Sequence, residues 1–290
     1  MKSLFLRKVS LLIVGFLLST NFLMANANEW PEKLTFGLIP VAGSSSMKEN
    51  FEPIRFYLEE TLGVKVILKL SNDYTGTITG MQYGHIDFAY FGPKSYVEAA
   101  RRAKAEAIVQ EVDAESGLPG YTGLIITKKG SNLKSLDDIK GKKWAFTSSQ
   151  STSGTLVPTV MFSKKNIDPQ KYFSKVVYSG GHEASILAIK SGNVDAASTN
   201  NLDYNRGLGK QWNESDFNII WKSELIPGSP MAVRADLPLS LKVAIKGAFL
   251  SFRDKESLEK LKINGYIDTT DSVYDSIREL IELKKKLKKK

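Results

Sequence analysis

No cysteine occurs among the 290 residues. That removes disulfide frameworks, thiolate nucleophiles and thiolate metal sites at once, and leaves no cysteine to carry a lipid after an export signal. Histidine is nearly absent too. His85 and His182 are the two; they make no pair at metal-ligand spacing, and no acidic cluster suggests a metal either. There is no Gly-x-Ser-x-Gly run, so the sequence offers no nucleophile elbow. Internal repeats and long low-complexity linkers are also missing. What remains is a chain with 42% apolar residues, long enough for one large or two medium domains with cores of their own.

The formal net charge of +9 suggests nucleic acid until it is located. Lys2, Arg7 and Lys8 at the start, with Lys284, Lys285, Lys286, Lys288, Lys289 and Lys290 at the end, account for all of it. The body between them is near neutral and carries no basic footprint for nucleic acid. The terminal lysines suit a solvated helix end, where cations complement the macrodipole; docking to a membrane surface or a transporter is the other reading. The initial cations precede an apolar run from Val9 to about Leu23 and then Ala25-Asn26-Ala27. This is the pattern of a signal peptide, 1–27, cleaved after Ala27. The run is short for a membrane span of about 20 residues, so the mature chain is expected free in an export compartment, most simply a bacterial periplasm.

Short β-branched or aromatic runs then alternate with amphipathic segments, the pattern of an α/β fold with βαβ crossovers. Strands are predicted at Leu34 to Pro40, Val64 to Leu70 and Ile86 to Phe91, with a helix carrying Phe51, Ile54, Leu58 and Leu62 up to Gly63 and a short one from Tyr74. After the turn Gly117-Leu118-Pro119-Gly120, strands follow at Tyr121 to Thr127, Lys143 to Phe146, Lys175 to Tyr178 and Val194 to Ala197. Helices are expected at Ser135 to Gly141, from about Ser153, at Glu183 to Ser191 and from about Leu202. The extended stretches near Tyr121 and near Trp221 read as crossings between two lobes, with a further strand at Met231 to Val233 and a helical remainder from Pro238 to Leu287. The expected organisation is lobe I over 28–120 and 223–290, with lobe II over 121–222. Two lobes joined by two strands make a hinge that buries a ligand on closing.

The densest chemical signal is Thr147-Ser148-Ser149-Gln150-Ser151-Thr152-Ser153-Gly154-Thr155, where a strand gives way to a helix. Seven of its nine residues are Ser or Thr, whereas one N-cap needs one such residue. Hydroxyls and orphan N–H groups at a helix N-terminus favour an anion. Pro158 fits a helix starting near Ser153 or Gly154. With no Lys or Arg in the loop, neutral donors must discriminate the anion by geometry. A second strand-to-helix junction, Ser179-Gly180-Gly181-His182-Glu183-Ala184, offers His182 as donor or as a structural histidine. Tyr74 and Tyr121 stand at comparable places, as donors or as core aromatics. His85 reads as a turn or surface residue. Ser151 or Thr152 with His182 and Asp203 can also be drawn as a nucleophile, base and orienter, which keeps a hydrolase as a remote alternative.

Five motifs taken together, Asp73-Tyr74-Thr75-Gly76, Pro119-Gly120-Tyr121, Ser151-Thr152-Ser153-Gly154 with Leu156-Val157-Pro158, Gly181-His182-Glu183 and Ile226-Pro227-Gly228, closely resemble the phosphonate-binding, PhnD-type periplasmic proteins, which include phosphite binders. The resemblance implies a type II periplasmic-binding-protein fold, two α/β lobes joined by two crossing strands. It also implies binding without catalysis or cofactor, and delivery by a monomer to an ABC permease in the inner membrane. Carried over residue by residue, Ser151, Thr152 and Ser153 are the phosphoryl-oxygen cradle, completed by Tyr74, Tyr121 and His182. Aminoalkylphosphonate binders of the family place a carboxylate after the Val-Asp strand and another after the Ile-Pro-Gly turn. Here these positions fall at Leu202 or its neighbours and at Ser229, so the expected ligand lacks an amine: phosphite or methylphosphonate, more weakly phosphate. Sulfonate or sulfate on the same fold is the alternative. Asp203 either accepts a proton from the oxyanion or faces solvent, and Asn200 or Asn201 is open to take its place.

Overall fold

The computed structural model of the chain describes residues 30–288; the expected signal segment lies outside the described residues. The chain starts with β1 (Lys33–Leu38), α1 (Ser44–Leu62), β2 (Lys65–Leu70), α2 (Tyr74–Gln82), β3 (Phe88–Tyr90), α3 (Pro93–Ala103) and β4 (Ala105–Asp113). Met47, Phe51, Ile54, Leu58 and Leu62 form the buried stripe of α1, and Gly63 ends it in the left-handed conformation at φ 65° that glycine adopts without steric cost. β1 lies parallel between β2 and β3. β10 (Pro230–Arg234) returns from the far end of the sequence to lie antiparallel between β3 and β4, and β11 (Ile263–Asp268) closes the edge beyond β4. The first sheet is therefore ordered β11-β4-β10-β3-β1-β2.

The second sheet, ordered β7-β6-β8-β5-β9, takes β5 (Gly120–Lys128), β6 (Lys143–Phe146), β7 (Lys175–Tyr178), β8 (Ala196–Asn200) and β9 (Phe217–Pro227). Both of its faces are covered, as the period-2 alternation of side chains requires. Leu124 and Ile126 of β5 with Ala145 of β6 face one apolar cluster that includes Ile186 and Ile189. Ile125, Trp144 and Phe146 face another with Phe162 and Phe173. Its helical segments are α4 (Val157–Lys164), α5 (Pro169–Tyr172), α6 (His182–Lys190) and α7 (Asn201–Gly207).

The chain passes between the sheets at 114–119 and 228–229, and the two passages touch where Gly228 N–H donates to Pro119 O at 3.1 Å. The second passage lies beyond Pro227 rather than near Trp221, because β9 stays paired with β5 as far as Gly120↔Pro227. The segment Ser135 to Gly141, expected as a helix, is a turn. Asp138 Oδ2 accepts from Lys134 N, Ser135 N and Ser135 Oγ within 2.9 Å, and this local closure leaves no length for an i→i+4 ladder. The C-terminal stretch is not all helix, since β11 interrupts α8 (Leu239–Ser251) and α9 (Lys255–Leu261) before α10 (Asp275–Lys288). α8 and α9 pack on the first sheet's lobe, while α10 rests both on α3 and on α4 of the other. Among the described residues no helix is long and apolar enough to cross a membrane.

Candidate functional site

The hydroxyl-rich segment leaves β6 and enters a helix through a π turn, Thr152–Leu156, before α4 begins. Ser151 caps it, its Oγ accepting from Gly154 N–H at 3.0 Å while its carbonyl takes Leu156 N–H five residues on at 3.1 Å. Such turns recur at functional sites, because the wider ring re-aims the first N–H groups and side chains. The turn is pressed onto the strands beneath it. Thr147 N–H and Ser198 Oγ both donate to Gly154 O, at 3.1 and 2.6 Å. A side chain at Gly154 would place its Cβ 2.1 Å from Thr147 Oγ1, so only glycine fits.

Six of the seven residues expected at the site, Tyr74, Tyr121, Ser151, Thr152, His182 and Asp203, line one cavity between the lobes. Ser153 is not among its walls, although it is fully buried behind the turn with its Oγ lacking a hydrogen-bond partner. Tyr74 opens α2, where Asp73 caps Gly76 N–H at 2.7 Å; its buried phenol also has no partner. Burial pushes the Tyr74 and Tyr121 phenols up from their ordinary range, so both remain O–H donors. Thr152 Oγ1 accepts from the backbone N–H of Lys94 on the opposite lobe at 2.8 Å, which frees its own proton for the cavity. His182 is the first residue of α6, with Nε2 3.3 Å from Ser151 Oγ and Nδ1 3.2 Å from Thr199 Oγ1. Burial lowers its pKa against the pull of Asp203, so the imidazole is neutral near pH 7. The space these residues enclose is ≈ 20 Å³ counted at water centres, against about 10–15 Å³ for a single water. The enclosed space is small and lined mainly by polar residues. His85 is exposed, away from this cavity.

The open question over Asp203 resolves into a network. Asp203 is buried, accepts from Asn200 Nδ2 at 2.7 Å and from Arg206 Nη1 at 2.8 Å, and lines the cavity together with Asn200. Asn201 turns away, receiving Thr122 N–H at 2.8 Å. Leu202 and Ser229, the positions without carboxylates, are both in the cavity wall. Sequence reasoning missed Arg206, Tyr90 and Glu111. Arg206 lines the cavity and reaches across the cleft to Glu111 Oε1 at 3.3 Å, while Tyr90 OH donates to Glu111 Oε2 at 3.3 Å. Asp203 and Arg206 at i and i+3 on one helix face were a visible signal; Glu111, on a strand 95 residues away, gave none.

Further contacts hold the lobes together. Lys94 Nζ donates to Ser149 O, Glu183 N–H to Val41 O at 3.1 Å, and Arg206 Nε to Leu261 O at 2.9 Å. Gly181 permits the second of these, since a Cβ there would stand 2.7 Å from Pro40 O.

Two α/β lobes joined by two passages, with a hydroxyl-lined cavity between them, define a solute-binding protein of the type II periplasmic-binding-protein fold. A family model described as "ABC transporter, phosphonate, periplasmic substrate-binding protein" matches residues 36–274, and the chain belongs to that family. It is 34% identical to the phosphonates-binding periplasmic protein of Escherichia coli (strain K12), over 91% of this chain and 80% of that protein. It is 30% identical to the phosphate-import protein PhnD of Mycolicibacterium smegmatis, over 89% and 87%. Among solved structures, the binding-protein component of an ABC phosphonate transporter from Pseudomonas aeruginosa superposes with a TM-score of 0.84 at 32% identity, covering 88% of this chain and 87% of the other.

Proposed function

We propose that this chain, exported and cleaved after Ala27, captures a small amine-free phosphorus oxyanion between its lobes and presents it, as a monomer, to an ABC permease in the inner membrane. Phosphite and methylphosphonate are the intended ligands, phosphate a weaker one, and no reaction is catalysed on any of them. Ser151 and Thr152 at the π turn supply the cradle, with Ser153 joining as the turn adjusts and Tyr74, Tyr121 and His182 donating from around it. The lobes swing about 114–119 and 228–229. The observation that carries this reading is that buried neutral donors, among them the partnerless Tyr74 hydroxyl, converge on a cavity of ≈ 20 Å³. Relatives named for phosphonates and for phosphate import share the phosphorus oxyanion and differ in what it carries, so the ligand's substituent is argued from Leu202, Ser229 and the cavity's size.

Calorimetric titration with phosphite, methylphosphonate, phosphate, sulfate and 2-aminoethylphosphonate tests the reading. Saturable one-to-one binding of the first two without turnover is the expected result; tighter binding of 2-aminoethylphosphonate than of both would sink it. Thr152→Ala removes a donor to a charged group and is expected to weaken binding by about 1.5–3 kcal/mol. An unchanged dissociation constant would take Thr152 out of the cradle.

A further inference from the structure

Of the described residues lining the cavity, Arg206 alone carries a fixed positive charge, since His182 is held neutral. Its guanidinium is 8% exposed and already committed: Nη1 to Asp203, which is 7% exposed, Nη2 to Glu111, which is 1% exposed, and Nε to Leu261 O. The two carboxylates come from opposite lobes, Asp203 from α7 and Glu111 from β4. Glu111 also receives the Tyr90 hydroxyl, and its N–H donates to Ser229 O at 3.1 Å. Glu111 thus joins Arg206 to Tyr90 and Ser229, while Asp203 Oδ2, 3.9 Å from His182 Nε2, lies one contact from Ser151.

The consequence for ligand choice follows from charge. A buried carboxylate attracts an ammonium group only while it lacks a partner, and a fixed cation nearby repels one in a site where water screens little. Both conditions run against an amine here, since the carboxylate in the described cavity wall, Asp203, is already held by Arg206.

Resting on the oxyanion reading above, we propose that Arg206 is the specificity-determining residue of this site: by holding Asp203 and Glu111 it leaves no carboxylate for an ammonium group and rejects aminoalkylphosphonates by charge. Removing the charge turns the same wall into an amine-accepting one. Lysine and methionine have nearly the same length, so Arg206→Lys and Arg206→Met open similar space and differ in charge.

The full chain, unaltered and carrying each substitution, is titrated calorimetrically with methylphosphonate and 2-aminoethylphosphonate. Should the freed carboxylates prevent Arg206→Met from folding, Arg206→Met with Glu111→Gln keeps one of them and serves instead. The ratio of the two dissociation constants is expected to move towards 2-aminoethylphosphonate by about tenfold or more in the methionine variants, and to stay within about twofold in Arg206→Lys. An equal shift in both, or none in the methionine variants, overturns the assignment. So does loss of both ligands by a folded methionine variant, which would make Arg206 a direct oxyanion ligand. Binding of neither ligand, nor of phosphite or phosphate, by the unaltered chain overturns the oxyanion reading itself, and this inference with it.

Discussion

Alanine at position 154 is expected to destabilise the chain by about 3 kcal/mol and to weaken oxyanion binding by about a hundredfold or more. The added Cβ would lie 2.1 Å from Thr147 Oγ1, 2.4 Å from Thr147 Cβ and 2.9 Å from Ser151 Oγ. None of these atoms has room to retreat. Thr147 is fully buried, and its hydroxyl is 3.2 Å from Ser198 O, to which it donates. Ser151 Oγ is tied to Gly154 N–H and lies against His182. Relief therefore requires the π turn to lift off β6 and β8, breaking the bonds to Gly154 O that seat it and moving Ser151 and Thr152 together. Thermal unfolding and titration on the same preparation check both parts. Gly247→Ala is the control: it is an exposed position in α8 with nothing near its would-be Cβ, and alanine there should gain about 0.5–1 kcal/mol. A Gly154→Ala protein with normal affinity would show that the turn is not where the anion sits.

Most of the fold could be read from local pattern, and the exceptions have physical causes. Short β-branched or aromatic runs such as Lys143–Phe146 and Lys175–Tyr178 have the bounds the sequence suggests. β4 escaped because Glu106, Gln110, Glu111 and Asp113 break its apolar run, and two of those, Glu111 and Asp113, face partners in the other lobe. β11 escaped because it is a short edge strand with a bulge at Gly265, where φ is 120°. The candidate site divides in the same way. Ser151, Thr152 and His182 sit at strand-to-helix junctions, where composition alone marks an unusual surplus of donors. Arg206 and Glu111 meet only because α7 and β4 face each other across the cleft. A charge pair built from distant segments leaves no local period or spacing to detect, so the half of the cavity proposed to select by charge was the half hidden from the sequence.

Stability is expected to respond to pH through two buried groups with opposite signs, and Glu111→Gln should separate them. Burial pushes the Glu111 carboxyl from its ordinary 4.5 up to about 7, with Arg206 opposing the rise. The folded chain keeps this proton to higher pH than the unfolded chain does. The resulting stabilisation is therefore complete below 4.5 and is lost as pH climbs through about 7. Its size is up to about 3 kcal/mol. His182 acts the other way. Burial lowers its pKa from 6.5, so its contribution is complete above that value and is lost as pH falls towards the depressed one. Below 6.5, where both groups titrate, the two slopes oppose each other and the pH response of the unaltered chain is reduced. With glutamine at 111 only the histidine slope remains, so stability should rise with pH and level off above about 6.5. Urea unfolding of both proteins at intervals from about pH 5 to 8 gives the comparison. The gap between the curves should widen in favour of the variant as pH rises, because the unaltered chain must then hold two carboxylates on the single guanidinium of Arg206. Parallel curves would mean that Glu111 does not titrate in this window and that Arg206 holds both carboxylates ionised throughout.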